Sequence, residues 1–211
     1  MTVADIIAAA RKYTSITGSS WFDSADELRS LNRAYRDVYE KILDQNDEYF
    51  ILEVTVPTSS LVAVRDHLYE YTLPAGWYRL RSIYGIVSDG EIVLDRIDPK
   101  DTRRGAGYRY YNGKLRLYYA EPFTDFRIEY YPAPAEYTLT TETIVYPPQL
   151  EPLILAYQMA IDIINQQNGD TSRYEAEYSK LWGRFSSAIG KRDDYSYPRV
   201  ANVYRSTYPG W

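Results

Sequence analysis

The sequence predicts an α+β fold: a four-helix bundle built from two N-terminal and two C-terminal helices, an inserted antiparallel β-rich module, and an extended C-terminal arm. Two changes of hydrophobic period predict it. Apolar residues recur at steps of three and four up to Ile42 and again from Leu150 to Ile189, whereas the stretch between alternates with a period of two and is broken by Pro and Asn-Gly. The composition agrees, because 211 residues that are 45% apolar and 25% charged can bury a core without staples.

Taken in order, Val3, Ile6, Ile7, Ala10 and Tyr13 form one stripe after a Thr2-Val3-Ala4-Asp5 start. A second helix follows Trp21-Phe22, with Asp23 or Ser24 as N-cap, Asp26 and Glu27 in the first turn, and Leu28, Leu31, Tyr35, Val38 and Ile42 on its apolar side. These helices are expected within 1–48. Strands are expected at 50–56, 69–73, 77–87, 91–94, 108–111, 114–119 and 126–131, within a module spanning 49–147. Asn112-Gly113 between two alternating runs marks a tight hairpin, since both residues accept positive φ. Helices return over 148–190, the first stopping at Asn168-Gly169 and the second opening on the capping-box spacing Ser172-x-x-Glu175 and ending at Gly190. Terminal helix pairs forming one body would carry the module as a projection.

Several chemistries are excluded. The absence of cysteine removes disulfides, thiolate nucleophiles, Cys-ligated zinc and iron–sulfur clusters, and the single histidine, His67, removes His-pair metal sites. There is no P-loop, no G-x-G-x-x-G and no G-x-S-x-G; Gly105-Ala106-Gly107 lies in a polar loop. The acidic clusters Asp193-Asp194 and Asp44-x-x-Asp47-Glu48 lack calcium-loop spacing. The expectation is no catalytic residue, no cofactor and no metal. A formal charge of −5 argues against wrapping nucleic acid, and no apolar run reaches the roughly 18 residues of a membrane span.

Tyrosine stands out, with 24 residues against 5 Phe and 4 Trp. Two explanations stay open: surfaces that are wet before assembly and buried after it, or exposed strand faces. The hairpin alternates Arg109, Lys114 and Arg116 with tyrosines, as single-strand nucleic-acid platforms do, but Leu115 and Leu117 fall between them. Over 191–211, Tyr195, Tyr197, Tyr204, Tyr208 and Trp211 alternate with Arg199 and Arg205, the residue types that dominate interface hot spots. This segment reads as an arm that docks on another chain.

The layout resembles the head-to-tail adaptor proteins of tailed bacteriophages, including the tail tubular protein A family. The likeness rests on Leu31-Asn32-Arg33-Ala34-Tyr35-Arg36 in the second helix, on Tyr71-Thr72-Leu73-Pro74-Ala75-Gly76-Trp77-Tyr78-Arg79 leading into a strand, and on the late helix pair followed by an arm. It implies a structural virion protein of the head–tail junction, made in the host cytoplasm, that forms a ring, commonly twelvefold, beneath the portal protein. It also implies downstream tail or nozzle partners, and genomic DNA passing through the lumen without specific binding. The portal-binding role falls on Tyr195, Tyr197, Arg199, Tyr204, Arg205, Tyr208 and Trp211. The alternatives are a tail-completion or head-closure protein and, in a different class, a carbohydrate-binding or glycan-active protein.

Overall fold

The structure is a computed structural model and describes residues 1–14, 23–45, 48–97, 106–119 and 123–193. Within them the chain divides into two units: Met1–Asp47 with the described residues from Ala135 onward, and Glu48–Pro134. The fold is α+β, as expected.

In the helical unit, α1 (Val3–Thr14) starts on a reciprocal cap. The Thr2 amide donates to Asp5 Oδ2 at 2.8 Å and the Asp5 amide returns to Thr2 Oγ1 at 3.3 Å. For α2 (Ser24–Asp44), Asp23 is the N-cap, its Oδ1 accepting from the Ala25 and Asp26 amides at 2.9 Å. α3 (Leu153–Gln166) stops as predicted, with Asn168 at φ 54° and the Gly169 amide reaching the Ile164 carbonyl at 3.0 Å. α4 (Ser172–Asp193) departs from the sequence reading at both ends. Its cap is Thr171, one residue earlier, whose hydroxyl donates to Glu175 at 2.6 Å, while the Tyr174 and Glu175 amides donate to the Thr171 carbonyl. The helix also runs through Gly190, because a single glycine costs a helix only about 1 kcal/mol.

α3 packs against each of the other three helices. It buries Ile154, Leu155, Ala156, Met159, Ala160, Ile161 and Ile163, which cover most of its circumference, as a central helix requires. Glu27 of α2 is buried among these elements because Arg11 of α1 grips both its oxygens, at 2.5 and 2.7 Å. Residues 135–147 lie with the helices rather than the strands. Asn32 brackets the Tyr137 backbone, donating to its carbonyl at 2.9 Å and accepting from its amide at 2.8 Å. Tyr35 and Tyr137 then clasp Val145, the first donating to its carbonyl at 2.8 Å and the second accepting from its amide at 2.9 Å.

The strand unit contains β1 (Leu52–Pro57), β2 (Val62–Arg65), β3 (Leu68–Tyr71), β4 (Trp77–Val87), β5 (Gly90–Val93), β6 (Asp95–Arg96), β7 (Gly107–Tyr111), β8 (Lys114–Tyr118) and β9 (Asp125–Pro132). They form two sheets, ordered β1-β9-β4-β5 and β2-β3-β8-β7-β6. The expected antiparallel module is corrected to a mixed one, since β6 pairs with β7 in parallel. The chain changes sheets there, the Leu94 amide bonding to Ile83 and the Ile97 amide to Tyr108, and arrives in the second sheet beside β7 without a hairpin. Val56, Ile83, Phe126 and Ile128 from one sheet meet Leu115 and Leu117 from the other in a single core. Asn112 and Gly113 take φ 49° and 75°, the predicted hairpin turn. Gly85 is required by a close approach, because a Cβ there would lie 2.5 Å from the Phe123 ring.

Two tests follow from this packing. Phe126 is fully buried, and Phe126→Ala should lower stability by about 3–5 kcal/mol in urea unfolding of the full chain. Tyr13, stacked on Tyr157 at 4.6 Å, and Tyr119, stacked on Tyr69 at 4.6 Å, are each pushed up to about 12, by burial first and the facing tyrosine second. The unfolded chain ionises near 10.0 and the folded chain near 12, so stability is full below pH 10 and is lost as pH rises between these values. The unfolding midpoint should fall across that window, and Tyr13→Phe with Tyr119→Phe should flatten the fall.

Candidate interaction surfaces

Outside the core, the chemistry of the described residues is that of surfaces. No group of three or more His, Cys, Asp or Glu there could hold a metal ion. His67 occupies the β2–β3 turn at φ 58°, exposed, with Nε2 3.4 Å from Asp66, and serves as a hairpin residue. The partly open pocket beside Arg11, Glu27 and Met159 is about 10 Å³, no larger than one water. The partner-binding residues expected from the sequence, Tyr195, Tyr197, Arg199, Tyr204, Arg205, Tyr208 and Trp211, lie outside the described residues.

The outer faces of the two sheets are ordered networks of charge and aromatic rings. On the β2-β3-β8-β7-β6 sheet, the strand period that sends Leu115 and Leu117 inward sends Lys114, Arg116 and Tyr118 outward. Register places Arg116 between Glu70 of β3 and Arg109 of β7. Glu70 accepts from Arg116 at 2.8 Å and from Lys114 at 3.2 Å. Arg116 also lies 4.0 Å from the Tyr111 ring centre, and Arg109 sits 5.4 Å from Tyr111 and 5.5 Å from Tyr118. Among the described residues the buried Arg109 Nε has no hydrogen-bond partner, so rings flank this cation. The hairpin that resembles a nucleic-acid platform thus spends much of its basic character on its own Glu70 and tyrosines.

The β1-β9-β4-β5 sheet repeats the design with the opposite excess. Phe126 and Ile128 point to the core, so Arg127 and Glu129 point out. Arg127 bonds Glu129 at 2.8 Å, Glu53 at 3.3 Å and Glu91 through two nitrogens, and lies 4.1 Å from the Tyr84 ring centre. Arg81 joins Glu48 at 2.9 Å to Glu129 at 3.4 Å. The sequence reading missed this network. Its signal was present in Phe126-Arg127-Ile128-Glu129, where alternation places opposite charges on one face, but the partners Glu53 and Glu91 come from strands 74 and 36 residues away, respectively.

A family model described as SU10 adaptor protein matches residues 1–203. No curated protein matches the sequence.

Hydrogen bonds from Arg116, then from Lys114, hold the Glu70 carboxyl below its ordinary value of 4.5. A depressed carboxylate stabilises the fold above its unfolded pKa, and that contribution is lost as pH falls through the folded value. Glu70→Gln should therefore lower the unfolding midpoint at neutral pH and make its decline below pH 4.5 shallower than in the parent chain.

Proposed function

Because the chain belongs to the SU10 adaptor protein family, a family of phage head-to-tail adaptors, we propose that it forms a ring between the portal and the tail of a virion. In this reading identical subunits join through heterologous side contacts that close into a ring, for which twelve copies is the proposed number. The observation that carries the proposal is the family match, which covers both units and most of the chain. The ring extends the DNA channel without reading sequence and offers the tail or nozzle its platform. Segment 194–211 anchors it: Tyr195, Tyr197, Arg199, Tyr204, Arg205, Tyr208 and Trp211 supply flat apolar area and planar cations that a portal surface can bury. The role is assembly rather than catalysis.

The test compares the full chain with a chain ending at Asp193, where α4 ends. A second, full-length variant carries Ser at Tyr195, Tyr197, Tyr204, Tyr208 and Trp211. Each is mixed with the cognate portal ring and followed by sedimentation and negative-stain imaging. The full chain should add a collar to the portal, and both variants should bind roughly thirty-fold more weakly or worse, the loss expected for one hot spot of about 2 kcal/mol. Equal binding by both variants would overturn the anchor, and binding to tail tube in place of portal would make the chain a tail-completion protein.

A further inference from the structure

We propose that the acidic outer face of the β1-β9-β4-β5 sheet docks on the basic outer face of the β2-β3-β8-β7-β6 sheet of a second copy. The inference rests on the ring reading above and names the surfaces that would close the ring.

Both faces belong to one strand unit and lie on opposite sides of its shared core. On the first face the network holds four carboxylates, Glu48, Glu53, Glu91 and Glu129, and two guanidiniums, Arg81 and Arg127. Asp125 and Arg79, opposite Ile86 and Tyr131 on the same face, offset one another. The second face carries Arg65, Arg109, Lys114 and Arg116 against Glu70 and Asp95, as the registers of β2, β3, β6, β7 and β8 place them. One face has two carboxylates in excess and the other two cations in excess.

Such an arrangement selects its partner. Two copies meeting through the same face juxtapose like charges, which costs free energy, whereas unlike faces attract and fix orientation. A contact between different faces of identical subunits is heterologous, the kind that builds rings. Each face also exposes apolar surface that a solvated wall would not need. Val93 on the acidic face is 60% exposed and Val62 on the basic face 63%, with the Tyr111 ring beside the latter's cations. Cations and aromatics over a modest apolar patch are the composition of an interface.

The natural absence of cysteine gives a clean background for the test. A full chain with Val62→Cys and Val93→Cys, assembled on the cognate portal, is treated with a short bismaleimide linker. The expected product is a ladder of covalent oligomers beyond the dimer. Each single variant alone should give no cross-link, and their mixture should stop at the dimer. A companion set reverses charge: Glu53→Lys with Glu91→Lys in one chain, and Lys114→Glu with Arg116→Glu in another. Each by itself should fail to form a ring on the portal, and an equimolar mixture should recover it, because every contact in an alternating ring is again between unlike faces. Rings that form without the ladder, or single variants that cross-link to themselves, would overturn the face pairing and leave the ring reading standing. A parent chain that forms no ring on the portal would overturn both.

Discussion

The ladder between β1 and β9 is the constraint on which the rest of the structure depends. These strands begin and end the strand unit, and they pair antiparallel from Leu52 opposite Tyr130 to Pro57 opposite Asp125. The ladder therefore brings the two ends of the 87-residue strand unit, Glu48–Pro134, back together. The same register gives Val56 and Phe126 to the core and places Glu53 and Arg127 together on the outer face. A slip of one residue would exchange those faces and lose both.

Closing so long an insertion has consequences for folding. α3 carries the surface on which α1, α2 and α4 pack, yet it follows the whole strand unit in sequence. α1 and α2 touch each other little, so the N-terminal half cannot bury its apolar stripes until α3 exists. Contacts of such high sequence separation cost loop entropy before they return anything, unless the insertion has already folded and shortened the loop. A strand unit with its own core of Ile83, Leu115, Leu117, Phe126 and Ile128 meets that need.

The helices and most strands were legible in the sequence because each carries its own period and its own stop, as Asn112-Gly113 and Asn168-Gly169 do. β2 was not, since its turn uses Asp66-His67 and a histidine at φ 58° is no sequence signal for a hairpin. β6, two residues long, is defined only by its neighbour β7. Residues 135–147 have no period because side chains far away in sequence, chiefly Asn32 and Tyr35, hold their backbone. Among the described residues tyrosine serves in the core as well as on exposed strand faces, where Tyr78, Tyr110 and Tyr111 stand. Tyr35, Tyr39, Tyr131 and Tyr137 are buried in the structure, and Tyr84, Tyr111 and Tyr118 serve as faces for arginines. The surface networks were half legible: alternation fixed which charges share a strand face, while cross-strand register, which a single strand does not encode, chose their partners.

In the ring proposed above, pairing most of the charges within each face would keep the subunits dispersed before they assemble. Exposed ion pairs contribute at most about 1 kcal/mol each, so the networks of Arg127 and Glu70 do more to fix side-chain positions than to stabilise the fold. Fixed side chains lose less conformational freedom when another surface covers them, which lowers the cost of association. Only the small unpaired excess then acts at a distance, and it is screened beyond roughly 8 Å at physiological salt. Two copies in solution would gain little from one such contact. Held side by side on a common support, the same weak contacts become intramolecular and reinforce one another, so assembly would await the support instead of preceding it.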